Sequence, residues 1–266
     1  MPYNSFSGSL MPSRCTTAHF LAAVLGLLAL AASCPADETG WIDLSSGPKA
    51  FEAWQGPTGD WFLADNVEMD AKNPKLLVGK PGLGILINGP KGRTRNLLTR
   101  QKFTDLEMHA EFLIPKGSNS GIKLMGLYEI QIFDSYGVKQ PTGADCGGVY
   151  PRAEDKPKYH HIDNGTPPAV NAAKPPGEWQ SFAIVFQAPR FDADGKKTAN
   201  ARFVKVVHND KVIHENVEVA YPTGSAWRLS KEVAKGPLLL QADHGPVAFR
   251  NVRVRPWKAD VKSDKP

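Results

Sequence analysis

The chain has 266 residues, 41% of them hydrophobic and 22% charged, with 32 Lys and Arg against 27 Asp and Glu. That length and apolar content suffice to bury a core, as one large domain or two small ones. The net charge of +5 is dispersed, with its densest runs "KGRTR" at 91–95 and "RVRPWK" at 253–258; a nucleic-acid binder would concentrate such charge with aromatics on one face, so no such partner is expected.

The first element is an apolar run, "FLAAVLGLLALAA" at 20–32, preceded by Arg14 and followed by the small residues of "ASCPADE". It has the length of a signal-peptide core and is short for a membrane span. Residues 1–36 are therefore read as an export signal, giving a periplasmic or extracellular protein. Cys34 stands where a lipoprotein signal places its lipidated cysteine, although Ala31 occupies the position where Leu is usual. Membrane anchoring is expected only if Cys34 is lipidated. Cys15 and Cys34 belong to the signal, which leaves Cys146 alone in the mature domain and without an internal disulfide partner.

From 37 to 257 the chain reads as short β-type runs separated by Gly, Pro and Asn/Asp turns. They are "KLLVG", "GILIN", "LEMHAEFLIP", "GIKLMG", "YEIQIF", "QSFAIVFQA", "FVKVVH", "KVIHENVEV", "PLLLQA" and "VAFRNVRVR". "HND" at 208–210 has hairpin-turn chemistry. About ten strands with no repeat and no βαβ rhythm predict an all-β sandwich or jelly roll of two antiparallel sheets. Residues 258–266 are expected to form a flexible tail. The segment 134–177 stands apart, rich in Pro and Gly with several Tyr and His. Its length and polarity mark a functional loop over the sandwich.

Strand alternation sorts the side chains. Ile122 and Leu124, and Ile130 with Ile132, face the core; Lys123, Glu129 and Gln131 then share the opposite face, and a bulge after Ile132 would return Asp134 to it. Carboxylates with an amide and a lysine can carry out acid–base chemistry on a sugar or anchor its hydroxyls. An ordinary solvated face has the same pattern. The spacing E-x-Q-x-x-D also resembles the E-x-D-x-x-E strand of laminarinase-type glucanases, with Gln131 for the central Asp and Asp134 for the last Glu. Arg250 alternates onto the apolar side with Val252 and Val254, where it needs a buried partner. His160 and His161 are adjacent and would point apart on a strand, so no metal-ligand spacing is seen.

Four stretches carry a further resemblance: "NSGIKLMGLYEIQIFDSYG", "GADCGGVY", "GEWQSFAIVFQAPRF" and "GPLLLQADHGPVAFRNVRVRP". Together, over residues 41–255, they resemble the 3-keto-disaccharide hydrolase family. The resemblance implies a concanavalin A-like β-sandwich, export, and action on sugars oxidised at C3. An insertion rich in Lys and Pro around 152–175 departs from the family pattern and bears on substrate size.

A C3 ketone acidifies the C2 hydrogen, so cleavage can proceed by deprotonation, loss of the C1 substituent and addition of water. That chemistry assigns Glu129 as base, Lys123 or His244 to stabilise the enolate, and Asp134 as acid or water-positioning group. Gln131, Tyr136, Asp145 and Tyr150 are expected to bind an oligosaccharide or glycoside substrate, with Tyr159 a further stacking candidate. No cofactor is expected; a divalent cation such as Ca2+ would be an alternative to Lys123, without clear ligand spacing to support it. A non-catalytic carbohydrate-binding module and a protein-interaction domain remain as competing readings.

Overall fold

The computed structural model describes residues 40–89 and 91–258. The apolar run at 20–32, Cys15, Cys34 and the tail beyond Lys258 lie outside the described residues.

The strands are β1 (Ile42–Asp43), β2 (Phe62–Met69), β3 (Leu77–Ile87), β4 (Leu97–Phe103), β5 (Leu106–Leu113), β6 (Asn119–Leu124), β7 (Tyr128–Phe133), β8 (Ala153–Glu154), β9 (His160–His161), β10 (Gln180–Gln187), β11 (Arg190–Phe191), β12 (Lys197–Ala199), β13 (Ala201–His208), β14 (Lys211–Val219), β15 (Gly236–Leu240) and β16 (Ala248–Pro256). Among the described residues the helices are one short α-helix, α1 (Ala226–Leu229), and one turn of 3-10 helix (Ala50–Ala53). Among the described residues no helix is long and apolar enough to cross a membrane.

Two antiparallel sheets form a jelly-roll sandwich. The larger has eight strands, ordered β14-β13-β10-β5-β16-β3-β2, with β1 added on β16; the smaller is β4-β15-β6-β7. Between them lies an aromatic core. Phe112 and Phe182 stack at 5.0 Å between ring centroids, and Tyr128 from the small sheet reaches across to Phe186 at 5.6 Å. Ile122, Leu124, Ile130 and Ile132 are fully buried on the same inner face as Tyr128, as alternation requires. The "HND" turn carries Asn209 and Asp210 at φ of 46° and 66° between β13 and β14, the backbone that a two-residue hairpin needs.

Three expectations change. "KLLVG" and "GILIN" belong to one continuous strand, β3, and two strands, β2 and β4, had no clear signature. In β2 the alternation slips because its pairing with β3 is irregular around Ala64. In β4 the run Arg100-Gln101-Lys102 is exposed, which hides the period. Finally, Arg250 is not on the apolar side. A bulge with Asn251 at φ 50° shifts the register of β16 against β5, so Arg250 turns outward, half-buried, onto Glu111 at 2.7 Å and over the Trp179 ring at 4.1 Å. Val252 and Val254 keep the core side.

Candidate active site

The site is built on the outer face of β6 and β7. These strands pair Lys123 opposite Glu129 and Gly121 opposite Gln131, through a turn in which Met125 and Gly126 take φ of 58° and 69°. Side chains directly opposite in such a pair approach within reach of one another, and Lys123 Nζ lies 3.0 Å from Glu129 Oε2. Gly121 makes room for the carboxylate: a Cβ there would come within 2.2 Å of Glu129 Oε1. The N-S-G-I motif thus has a steric reason.

This face is not solvated. Glu129 and Gln131 are each 2% exposed, because residues 146–150 run along the free edge of β7. The Gln131 N–H donates to Gly148 O at 2.9 Å, the Gly147 N–H to Gln131 O at 2.8 Å, and the Tyr150 N–H to Glu129 O at 3.1 Å. The Glu129 N–H is taken by Thr223 Oγ1 at 3.1 Å. Such a paired edge is closed to other strands, and both backbone groups of Glu129 are pinned.

Above this floor is a cavity of about 320 Å³, lined by Lys123, Glu129, Gln131, Tyr150, Gln241 and His244, with Asn96, Asn119, Asp155, Tyr159 and Asp243 also on its wall. Burial raises the Glu129 carboxyl above its ordinary range, against the opposing pull of Lys123. The Tyr150 hydroxyl shares hydrogen bonds of 3.0 Å with Tyr159 and with His161 Nε2. Burial, followed by the Tyr159 contact, keeps the Tyr150 phenol protonated by raising its pKa. His244 is more than half exposed, and its Nδ1 lies 2.6 Å from Asp243 Oδ1. The side-chain amide oxygens of Gln131 and Gln241 are buried without a protein hydrogen-bond partner; each is an acceptor that a substrate hydroxyl can satisfy.

The structure thus gathers Lys123, Glu129, Gln131, Tyr150 and His244 at one cavity, and leaves three expected residues out of its wall. Asp134 does not return to the outer face; its Oδ2 accepts the Gly117 N–H at 2.8 Å and braces that turn. Asp145 accepts from Ser135 Oγ, Thr142 N and Thr142 Oγ1, so its carboxylate is consumed in folding the loop. Tyr136 is 58% exposed. In their place the cavity holds Asp155, Asp243, Gln241, Asn96 and Asn119. Gln241 and Asp243 follow the end of β15 in "QADHG", where the adjacent histidine was the only cue. Asp155 sits in the β8–β9 hairpin, which no periodicity announces. Among the described residues no three His, Cys, Asp or Glu side chains gather in a way that could hold a metal ion.

Residues 40–255 match the family model described as a 3-keto-alpha-glucoside-1,2-lyase-like domain. Among solved structures the chain is similar to a candidate glycosyl hydrolase from Parabacteroides distasonis, at 25% identity and a TM-score of 0.62, covering 82% of this chain and 84% of that one. A second candidate glycosyl hydrolase from the same organism shares the fold at 18% identity and a TM-score of 0.50, covering 82% and 99%. No curated protein matches the chain.

Proposed function

This chain belongs to the 3-keto-alpha-glucoside-1,2-lyase-like family, and from that premise we propose that it is an exported enzyme cleaving the glycosidic bond of 3-keto-glycosides. The observation that carries this reading is the buried Glu129–Lys123 pair on the cavity floor. A two-carboxylate glycosidase needs a second acid across the scissile bond. Asp134, which the strand spacing would offer for that part, is spent on the Gly117 turn; of the carboxylates on the cavity wall, Asp243 lies against His244 and Asp155 accepts from Ser225 Oγ. A carboxylate next to a lysine instead suits deprotonation beside a ketone.

In this mechanism the ionised Glu129 removes the proton from C2. The electron pair becomes the C2–C3 double bond of an enolate, and the Lys123 ammonium stabilises the charge on the C3 oxygen. The enolate then returns its electrons, the C1–O bond breaks, and His244, oriented by Asp243, protonates the departing oxygen. Water adds to C1 of the unsaturated ketone and a proton returns to C2, giving the 3-keto sugar and the free aglycone. Gln131, Gln241 and the Tyr150–Tyr159 pair hold the ring.

Incubation with 3-keto-trehalose or a 3-keto-glucoside, with the unoxidised sugar as control, tests this reading. The aglycone should be released only from the ketone. Equal release from both would overturn the elimination route, and tight binding without turnover would make the domain a carbohydrate-binding module.

A further inference from the structure

Next to the cavity is a second pocket of about 250 Å³ whose polar character is one-sided. Lys75 from the β2–β3 connection, Lys91 and Arg93 from the β3–β4 connection, and Lys116 from the β5–β6 connection converge on it. Its remaining wall includes Ser118, Gly245 and His244, and His244 also lines the catalytic cavity. None of the four cations makes an ion pair among the described residues, whereas Arg152, Arg190, Arg202 and Arg255 each rest on a carboxylate. The two carboxylates that touch residues of the pocket wall are already engaged there: Asp134 accepts the Gly117 N–H and Asp243 lies against His244.

Four cations gathered on one concave surface repel one another and focus a positive potential there. An anion seated among them relieves that repulsion. The position of His244 says which part of a substrate would supply the anion. If His244 protonates the leaving oxygen, whatever continues past it is attached to the leaving side of the bond.

We propose that this pocket is an anion-binding subsite for the aglycone, so that the preferred substrates are 3-keto-glycosides whose leaving group carries a carboxylate, sulfate or phosphate. The proposal rests on the cleavage reading above. Arg93 can grip such a group in a fork, while Lys75, Lys91 and Lys116 act as point charges.

The test compares kcat/KM for 4-carbamoylphenyl 3-keto-glucoside, neutral and of similar leaving ability, with its 4-carboxyphenyl, 4-sulfophenyl and 4-phosphophenyl counterparts. The charged aglycones should be favoured by about tenfold or more in dilute buffer, and that preference should shrink toward one near 0.5 M salt as screening sets in. The three anionic arms identify which group fits. In the triple variant Lys91→Ala, Arg93→Ala, Lys116→Ala the charged-to-neutral ratio should fall to about one; the single variant Lys116→Glu should lower it in the same direction with less risk to folding. A wild-type ratio near one with the neutral glucoside turning over overturns the subsite and leaves the cleavage reading standing. If neither glucoside turns over, the cleavage reading fails, and equilibrium binding of the same pair decides: no tighter binding of the charged glycoside overturns the subsite. Salt-sensitive binding to phosphatidylglycerol vesicles, lost in the triple variant without any substrate preference, would assign the patch to a membrane surface and overturn the proposal.

Discussion

At Glu129 two effects oppose each other. Loss of hydration raises the carboxyl pKa, the Lys123 ammonium lowers it, and burial wins. As the proposed base must be ionised, kcat/KM should fall on acidification through a range above that of an ordinary carboxylate, which a pH–rate profile of wild type will show. Stability should follow the opposite sign. A raised carboxyl pKa means that the folded state binds the proton more tightly, so stability declines as pH rises from the ordinary value through the raised one. Glu129→Gln should therefore melt at or above wild type at pH 8 while kcat drops by roughly 100-fold or more. Gly121→Ala should fold yet lose activity, since its Cβ would displace the Glu129 carboxylate; wild-type turnover in that variant would refute the packing argument. Alternation alone identified which face Glu129 and Gln131 occupy. It could not show that the face is buried, because the cover comes from residues 146–150, whose glycines and cysteine carry no period.

The strand β7 is held from both sides, by core packing below and by the 146–150 segment along its edge. Ile130→Ala should cost about 2–4 kcal/mol in denaturant melts through lost burial and the cavity left behind. Cys146 anchors the covering segment: it is fully buried, its N–H donates to Ser135 Oγ at 3.0 Å, and burial pushes its thiol up to about 12. A thiol so protonated and enclosed is a poor nucleophile. It should resist alkylation in the folded protein and react only on unfolding, so rapid labelling under native conditions would show the segment to be undocked. Cys146→Ser, which places a hydroxyl where a thiol packs against the core, should cost about 1–3 kcal/mol. The strands that the sequence displayed most plainly were those whose apolar residues alternate without a break, such as β7 and β10. Where a bulge interrupts the period, as in β2 and at Asn251 of β16, the sequence misled about which way Arg250 points.

For the whole sandwich, the core carries its own pH sensitivity. His208 is buried against Phe112 and Phe182, with Nε2 on Gln180 Oε1 at 3.0 Å. Burial, followed by repulsion from Lys174, lowers its pKa to about 4. Burial lowers that of His214 as well. A depressed imidazole pKa means that the unfolded chain binds the proton more tightly, so stability is present above about 6.5 and is lost as pH falls toward 4. For His208 that loss is about 3 kcal/mol. His208→Phe should flatten this part of the stability–pH curve, and an unchanged slope would place the titration elsewhere. The sequence already held the all-β class, since turn chemistry and strand periods are local. The convergence of Lys75, Lys91, Arg93 and Lys116 on one pocket depends on three separate connections meeting in space, which no linear pattern displays.

The proposed cleavage begins with proton removal at C2 by Glu129. It is tested most directly by running the reaction of a 3-keto-glucoside in D2O and locating deuterium in the released 3-keto-glucose. Elimination followed by hydration predicts deuterium at C2 above the level that free product acquires by exchange, with both label and turnover lost in Glu129→Gln. Full turnover by wild type with no enzyme-dependent deuterium at C2 would contradict the account.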